Sequence, residues 1–223
     1  MSRDPWRDPI RVARGDPVAL RALLDELPAD GLQHAGSAVL TIGAGSVSAS
    51  FVVRLIGALR ERAWIGDDEL AAAIERHHLR LETAELIPVS VSLEDLAEVL
   101  DESFASESFI DLKSGVVWAG DLLDLDQGPD DFDRDDDERW LPVMGLGPSV
   151  DLKNMERFVA TIPDAQLARL LMDAISRPDA FGRFRTALER APDQFTRWHR
   201  YCDDAWLGQA RHWLAKRGYE PIR

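Results

Sequence analysis

The stretch FIDLKSGVVW at residues 109–118 decides the fold class. Two short apolar runs, 109–112 and 116–118, flank Lys113-Ser114-Gly115, and a glycine there supplies the positive φ that a tight hairpin turn requires. A further apolar run at 140–146 fits a third strand, which makes a small antiparallel sheet. Between the second and third strands lies DLLDLDQGPDDFDRDDDE, residues 121–138, with ten acids and one arginine. Self-repulsion and the Gly128-Pro129 break predict an extended, solvated loop. Its insertion is cheap, because loop-closure entropy grows only with the logarithm of length.

Helical periodicity takes over downstream. Met155, Phe158, Val159 and Ile162 share one face, and Pro163-Asp164 restarts a helix carrying Leu167, Leu170, Leu171, Ala174 and Ile175. Pro178 is expected to open a third helix with Phe181, Phe184 and Leu188 on one stripe. Asp193 is expected to cap a long fourth one, through Phe195, Trp198, Cys202, Ala205, Ala210, Trp213 and Leu214 to a stop at Gly218. Upstream, Asp16-Pro17 begins a helix bearing Val18, Leu20, Leu23, Leu24 and Leu27. Residues 34–50, HAGSAVLTIGAGSVSAS, fit a loop, a short strand or a small-residue helix. Residues 51–63 and the set Leu70, Ala73 and Ile74 read as a helical hairpin. Residues 86–91 read as a strand, and Ser92-Leu93-Glu94-Asp95 as a capping-box-like start to a helix through Leu96, Val99 and Leu100. The expected architecture is α+β. A tail at 1–15 and a mainly helical region at 16–103 precede a module at 108–222, in which the small antiparallel sheet packs against about four C-terminal helices.

The chain has 223 residues with a net charge of −14, which argues against a binder of nucleic acid or anionic membrane over its whole surface. The charge divides as −9 for residues 1–120, −9 for 121–138 and +4 for 139–223. A single cysteine, Cys202, excludes an intrachain disulfide and a Cys-rich metal site. The charged N-terminus lacks an apolar signal region, and the longest apolar stretch, near 51–56, is broken by Arg54, so a cytoplasmic protein with no membrane contact is expected.

An ordered series of segments carries a family resemblance: IDLKSGVV at 110–117, RWLPV at 139–143, NMERFVATIPDAQLARLLMDAI at 154–175, DAFGRFRTAL at 179–188 and RWHRYCDDAWLGQARHWLAKRGYEPI at 197–222. Over about residues 108–222 the chain resembles uncharacterised protein family 0158 of bacteria. The resemblance implies a compact α+β module. It brings no established activity and no catalytic residue.

The motifs that suggest chemistry are weak. Asp131, Asp133 and Asp135 have the opening spacing of a calcium loop, but Asp136 and Pro142 stand where glycine and glutamate are needed. Gly43-Ala44-Gly45 has no following lysine for a phosphate loop. His199 and Cys202 share a helix face, but Cys202 also falls on an apolar stripe and is expected to be an inert core thiol. His77 and His78, being adjacent, are expected to point to different faces. Asp203, Asp204 and Glu156 are acids that a hydrolase could use, though nothing in their spacing specifies catalysis. Two surfaces remain as candidates. One is basic: Arg177, Arg183, Arg185, Arg190, Arg197, Arg200 and Arg211, with Lys216 and Arg217 beyond. The other is the acidic loop, with Asp130, Asp131, Asp133, Asp135, Asp136 and Asp137. No cofactor and no metal are expected. A non-enzymatic interaction or regulatory module with an unknown protein partner ranks first, a nucleic-acid-associated protein using the arginines second, and a hydrolase third.

Overall fold

The computed structural model describes residues 29–41, 47–81, 86–101, 107–125 and 127–222. The tail at 1–15, the helix expected from Asp16-Pro17 and the Gly43-Ala44-Gly45 segment lie outside the described residues.

The sheet is built as the sequence predicts. Strand β2 (Ser108–Asp111) lies between β3 (Val117–Trp118) and β4 (Trp140–Val143), both antiparallel to it, with Phe109 opposite Trp118 and Pro142. Gly115 takes φ +78° at the hairpin turn. A second, two-stranded sheet is parallel: β1 (Ile87–Val89) pairs with β5 (Tyr219–Pro221), so a strand of the region at 16–103 is joined to the C-terminal end of the module. Helix α4 (Leu93–Asp101) follows β1, and the Ser92 hydroxyl accepts the Asp95 N–H at 3.1 Å, which caps its first turn.

Four C-terminal helices follow β4. These are α6 (Pro148–Ala160), α7 (Ala165–Ile175), α8 (Ala180–Leu188) and α9 (Pro192–Ala215). Asp164 caps α7 through the amides of Gln166 and Leu167. Two helix starts differ from expectation. Pro192 occupies the first turn of α9 with Ala191 as its cap, so Asp193 lies inside the helix, where its charge complements the positive end of the helix dipole. Asp179, in the left-handed conformation, precedes α8, and Phe181 is 43% exposed, off the buried stripe of Phe184, Ala187 and Leu188.

The segment whose periodicity left three readings open is helical. Helix α1 (Leu32–Leu40) buries Ala35, Ala38, Val39 and Leu40. It packs with α2 (Ala49–Arg62) and α3 (Asp67–Ile74), the expected hairpin, around Phe51, Leu55, Leu59, Leu70 and Ile74. A π-wound turn, Glu75–Leu79, extends α3 and brings the His77 and His78 rings edge to face at 4.5 Å, so these neighbours do not point apart.

Helix α9 ties the cores together. Its N-terminal half contributes Tyr201 to a core with Met155, Phe158, Leu171, Phe184 and Leu188. Its C-terminal half contributes Leu207, Ala210, Trp213 and Leu214 to a core with α4 and both sheets. Against α9 the turn before α3 approaches at backbone contact: a Cβ on Gly66 would lie 2.2 Å from the Gly208 carbonyl oxygen, and one on Gly208 equally close to the Ile65 oxygen. Only glycine fits at either position.

Candidate functional site

In its described residues, 121–125 and 127–138, the acidic segment is a structured loop, which corrects the expectation of an extended run. Its first residues form a short helix, α5 (Gly120–Asp124), that buries Leu123. Phe132, the one aromatic among the acids, inserts edge-on between Phe109 and Trp140, with ring centroids 5.1 and 5.0 Å away. Arg139 at the far end of the loop reaches back: its guanidinium donates to Asp131 Oδ2 at 2.6 Å and to both carboxylate oxygens of Asp111 on β2. Asp111 also accepts from Ser114 Oγ and the Lys113 amide, and these donors, Arg139 first, hold its carboxyl down at about 2. Asp133 accepts the amide of Asp135, and Asp136 that of Arg139. Asp130, Asp135 and Asp137 are exposed. Asp131 is thus turned to Arg139, and among the described residues no group of three His, Cys, Asp or Glu is placed to hold a metal.

Most arginines of the candidate basic surface are held by neighbouring groups. Arg177 and Arg185 bond to Asp173 and Glu189 one helical turn away, and Arg183 donates to the Pro178 carbonyl. Arg190 is exposed and Arg200 half-buried. Arg197 is drawn inward, to Asp30 at 3.0 Å and Thr161 Oγ1 at 2.7 Å. Arg211 leaves the surface altogether, being 4% exposed, and its place in the candidate basic face is corrected. Outside this set, Arg217 lies over the Trp213 ring at 3.6 Å.

The interior holds polar residues that composition does not single out. Gly31, before α1, has no side chain to cap that helix; Asp204 of α9 does so instead, accepting the amides of Gln33 at 2.8 Å and His34 at 3.2 Å. Arg62, at the end of α2, donates to Asp204 at 2.6 Å and in bidentate fashion to Asp67 at 2.6 and 2.9 Å. Gln33 links the two ends, donating to Asp67 Oδ1 and accepting from Arg211 Nε. Burial pushes the Asp204 carboxyl up to about 7, against Arg62 and the His34 amide, which favour its charge. Asp204 therefore caps a helix from inside and is not an accessible catalytic acid. One signal was legible: Tyr201, Asp204, Gly208 and Arg211 share a helical stripe, so two charged residues sit on an inward face.

Cys202 is only partly buried, between the two cores that α9 joins. Burial, then the charges of Asp203, Asp101 and Asp151, hold its thiol well above the usual range, which keeps it from the reactive thiolate form. His199 stacks edge-on against Phe195 at 4.7 Å. Glu156 is exposed on α6. Asp151 is raised to about 6 by burial and by the neighbouring Asp101.

The fold and its surfaces define a class: an α+β module strung on one long C-terminal helix, with a charged loop carried by an antiparallel sheet. Residues 85–223 match the family model of an uncharacterised protein family, UPF0158, and the chain belongs to that family. It is similar to the UPF0158 protein PA5073 of Pseudomonas aeruginosa, with 24% identity over 134 residues, 60% of this chain and 87% of that protein. No solved structure matches. The family segment begins ahead of β1 and so takes in β1 and α4, beyond the part that the sequence resemblance covered, while α1 to α3 precede it. No helix among the described residues is long and apolar enough to cross a membrane.

Proposed function

We propose that the protein is a non-enzymatic interaction module of the cytoplasm that presents its acidic loop to a basic segment of a partner protein. The observation that carries this reading is the insertion of Phe132 between Phe109 and Trp140, with Arg139 tying Asp131 of the loop to Asp111. A free acidic run would have to be ordered on binding, and that entropy would be subtracted from affinity. An anchored one offers its carboxylates on a fixed frame. Steering of a basic partner follows from the local charge.

The test compares wild type, Phe132→Ser and a chain with residues 127–138 replaced by a Gly-Ser linker. Each is titrated with an Arg- and Lys-rich peptide, single-stranded RNA and duplex DNA at two salt concentrations. Phe132→Ser keeps every charge but releases the anchor, so it separates a preorganised surface from mere acidity. The expected result is peptide binding by wild type, several-fold weaker in Phe132→Ser and absent from the linker variant, with RNA and DNA bound weakly by all. Tight, salt-sensitive nucleic-acid binding by wild type would overturn the reading in favour of the arginine-bearing helices. Nucleic-acid binding that emerges only in the linker variant would make the loop an internal competitor for those arginines. Peptide binding indifferent to Phe132 would remove the anchored frame from the account.

A further inference from the structure

A cavity of about 280 Å³ opens where α3 faces the end of α9 and β5. Arg211 lines it, buried to 4% exposure, and its environment is unusual for a buried cation. Nε donates to Gln33 Oε1 at 3.2 Å and Nη2 to Ser37 Oγ at 2.8 Å; both acceptors are neutral, and among the described residues no carboxylate pairs with it. The other arginine of the cavity, Arg76, is already paired with Glu220. A buried guanidinium with no carboxylate hydrogen-bonded to it is costly, although Glu69, Glu220, Glu94 and Asp204 act on its charge from further away, and it has more N–H groups than its two bonds use. Burial pushes Arg211 down to about 10 even against those four carboxylates.

The surroundings restrict what could complete it. Asp68 and Glu69 line the same cavity, so a bare anion such as phosphate would meet opposing charge. Glu69 gives Oε1 to His212 Nδ1 at 2.6 Å, and its Oε2 has no partner among the described residues. Ala72, Ala73, Ala215 and Pro221 supply apolar walls. The volume falls just below the roughly 300–1,000 Å³ of pockets for drug-sized ligands, which suits a small metabolite. We propose that this cavity binds a small aliphatic α-amino acid, its carboxylate on the Arg211 guanidinium, its ammonium toward Asp68 and Glu69, and its side chain against Ala72, Ala73 and Ala215. The carboxylate gives the buried arginine a directly bonded counter-ion, and the ammonium offsets the acids that would repel a simple anion. Because α3 stands on one side and β5 on the other, an occupied cavity ties the N-terminal helices to the family module and stabilises the whole chain by mass action.

Calorimetric titration and thermal unfolding of the full chain with L-alanine, L-valine and L-leucine test this, beside isocaproate and isoamylamine, which each keep one charged end. At least one of the three amino acids is expected to bind at one site per chain and raise the unfolding temperature, with each single-ended analogue weaker by about tenfold or more. Arg211→Gln and Ala73→Leu are expected to abolish the heat of binding. The second leaves Arg211 in place and fills the cavity, so the test stands if loss of Arg211 unfolds the protein. Absence of binding by all three amino acids at about 10 mM would overturn the proposal. So would binding that survives unchanged in folded Ala73→Leu, or isocaproate binding as tightly as leucine.

Discussion

Asp111 does the work of several residues at one corner of the sheet. Its carboxylate closes the Lys113–Gly115 turn through Ser114 Oγ and the Lys113 amide, and it receives the guanidinium that clamps the acidic loop. Its pKa is lowered from 3.8 to about 2 on folding, so its stabilising contribution is fully present above pH 3.8 and is lost as the pH falls through about 2. Asp111→Asn is expected to lower stability at neutral pH by about 1–2 kcal/mol, a modest figure because Arg139 keeps about a quarter of its side chain in water. Urea unfolding of both proteins checks this, with the gap closing as the pH approaches 2. A gap that stays constant with pH would mean that the loss is steric and not electrostatic.

At the scale of elements, the decisive contact is the backbone approach of the α2–α3 turn to α9. The neighbour of Gly208 cannot yield, because the atom that an added methyl would meet is the Ile65 carbonyl oxygen and not a flexible side chain. Gly208→Ala is therefore expected to destabilise the protein by about 2–4 kcal/mol. Gly57 offers the opposite case: it lies on the exposed face of α2, and a Cβ there meets nothing within 4 Å. Gly57→Ala is expected to stabilise by up to about 1 kcal/mol, through helix propensity alone. Chemical denaturation of the pair measures both signs. A neutral Gly208→Ala would show that the hairpin is not seated on α9 in solution.

For the whole molecule, α9 makes the folding of one region depend on another. Its residues enter the core with α6 to α8 and the core with α4 and the sheets. Asp204, on the same helix, caps α1 and bridges to Arg62. The chain cannot release α9 without exposing two cores and the buried charges of Asp204 and Arg62. Thermal unfolding is expected to be a single transition, with far-ultraviolet dichroism and tryptophan fluorescence coinciding. Two separated transitions would identify α1 to α3 as an independently stable unit riding on the family module.

Much of this was legible along the chain, because local chemistry specified it. Gly115 at a turn, Ser92 and Asp164 at caps, and the 3.6-residue apolar period of α6 and α7 each act within a few residues of themselves. The α+β class and the family resemblance follow from such signals in order. Pairings between distant segments left no comparable mark. The parallel match of β1 with β5 spans the module, and nothing in a three-residue strand announces its partner. Phe132 reads as one aromatic in a repelling run until Phe109 and Trp140 are brought beside it. Arg211 reads as part of a basic surface and Asp204 as one acid among many, since charged residues avoid burial unless they find partners, and the partners that draw them inward lie on α1 and α2, more than 140 residues away. Local chemistry was enough to specify the hairpin, the caps and most of the helices. Which charges are buried, which loop is anchored and where a cavity remains were decided by tertiary contact, because desolvation and hydrogen bonding depend on neighbours that only the folded chain supplies.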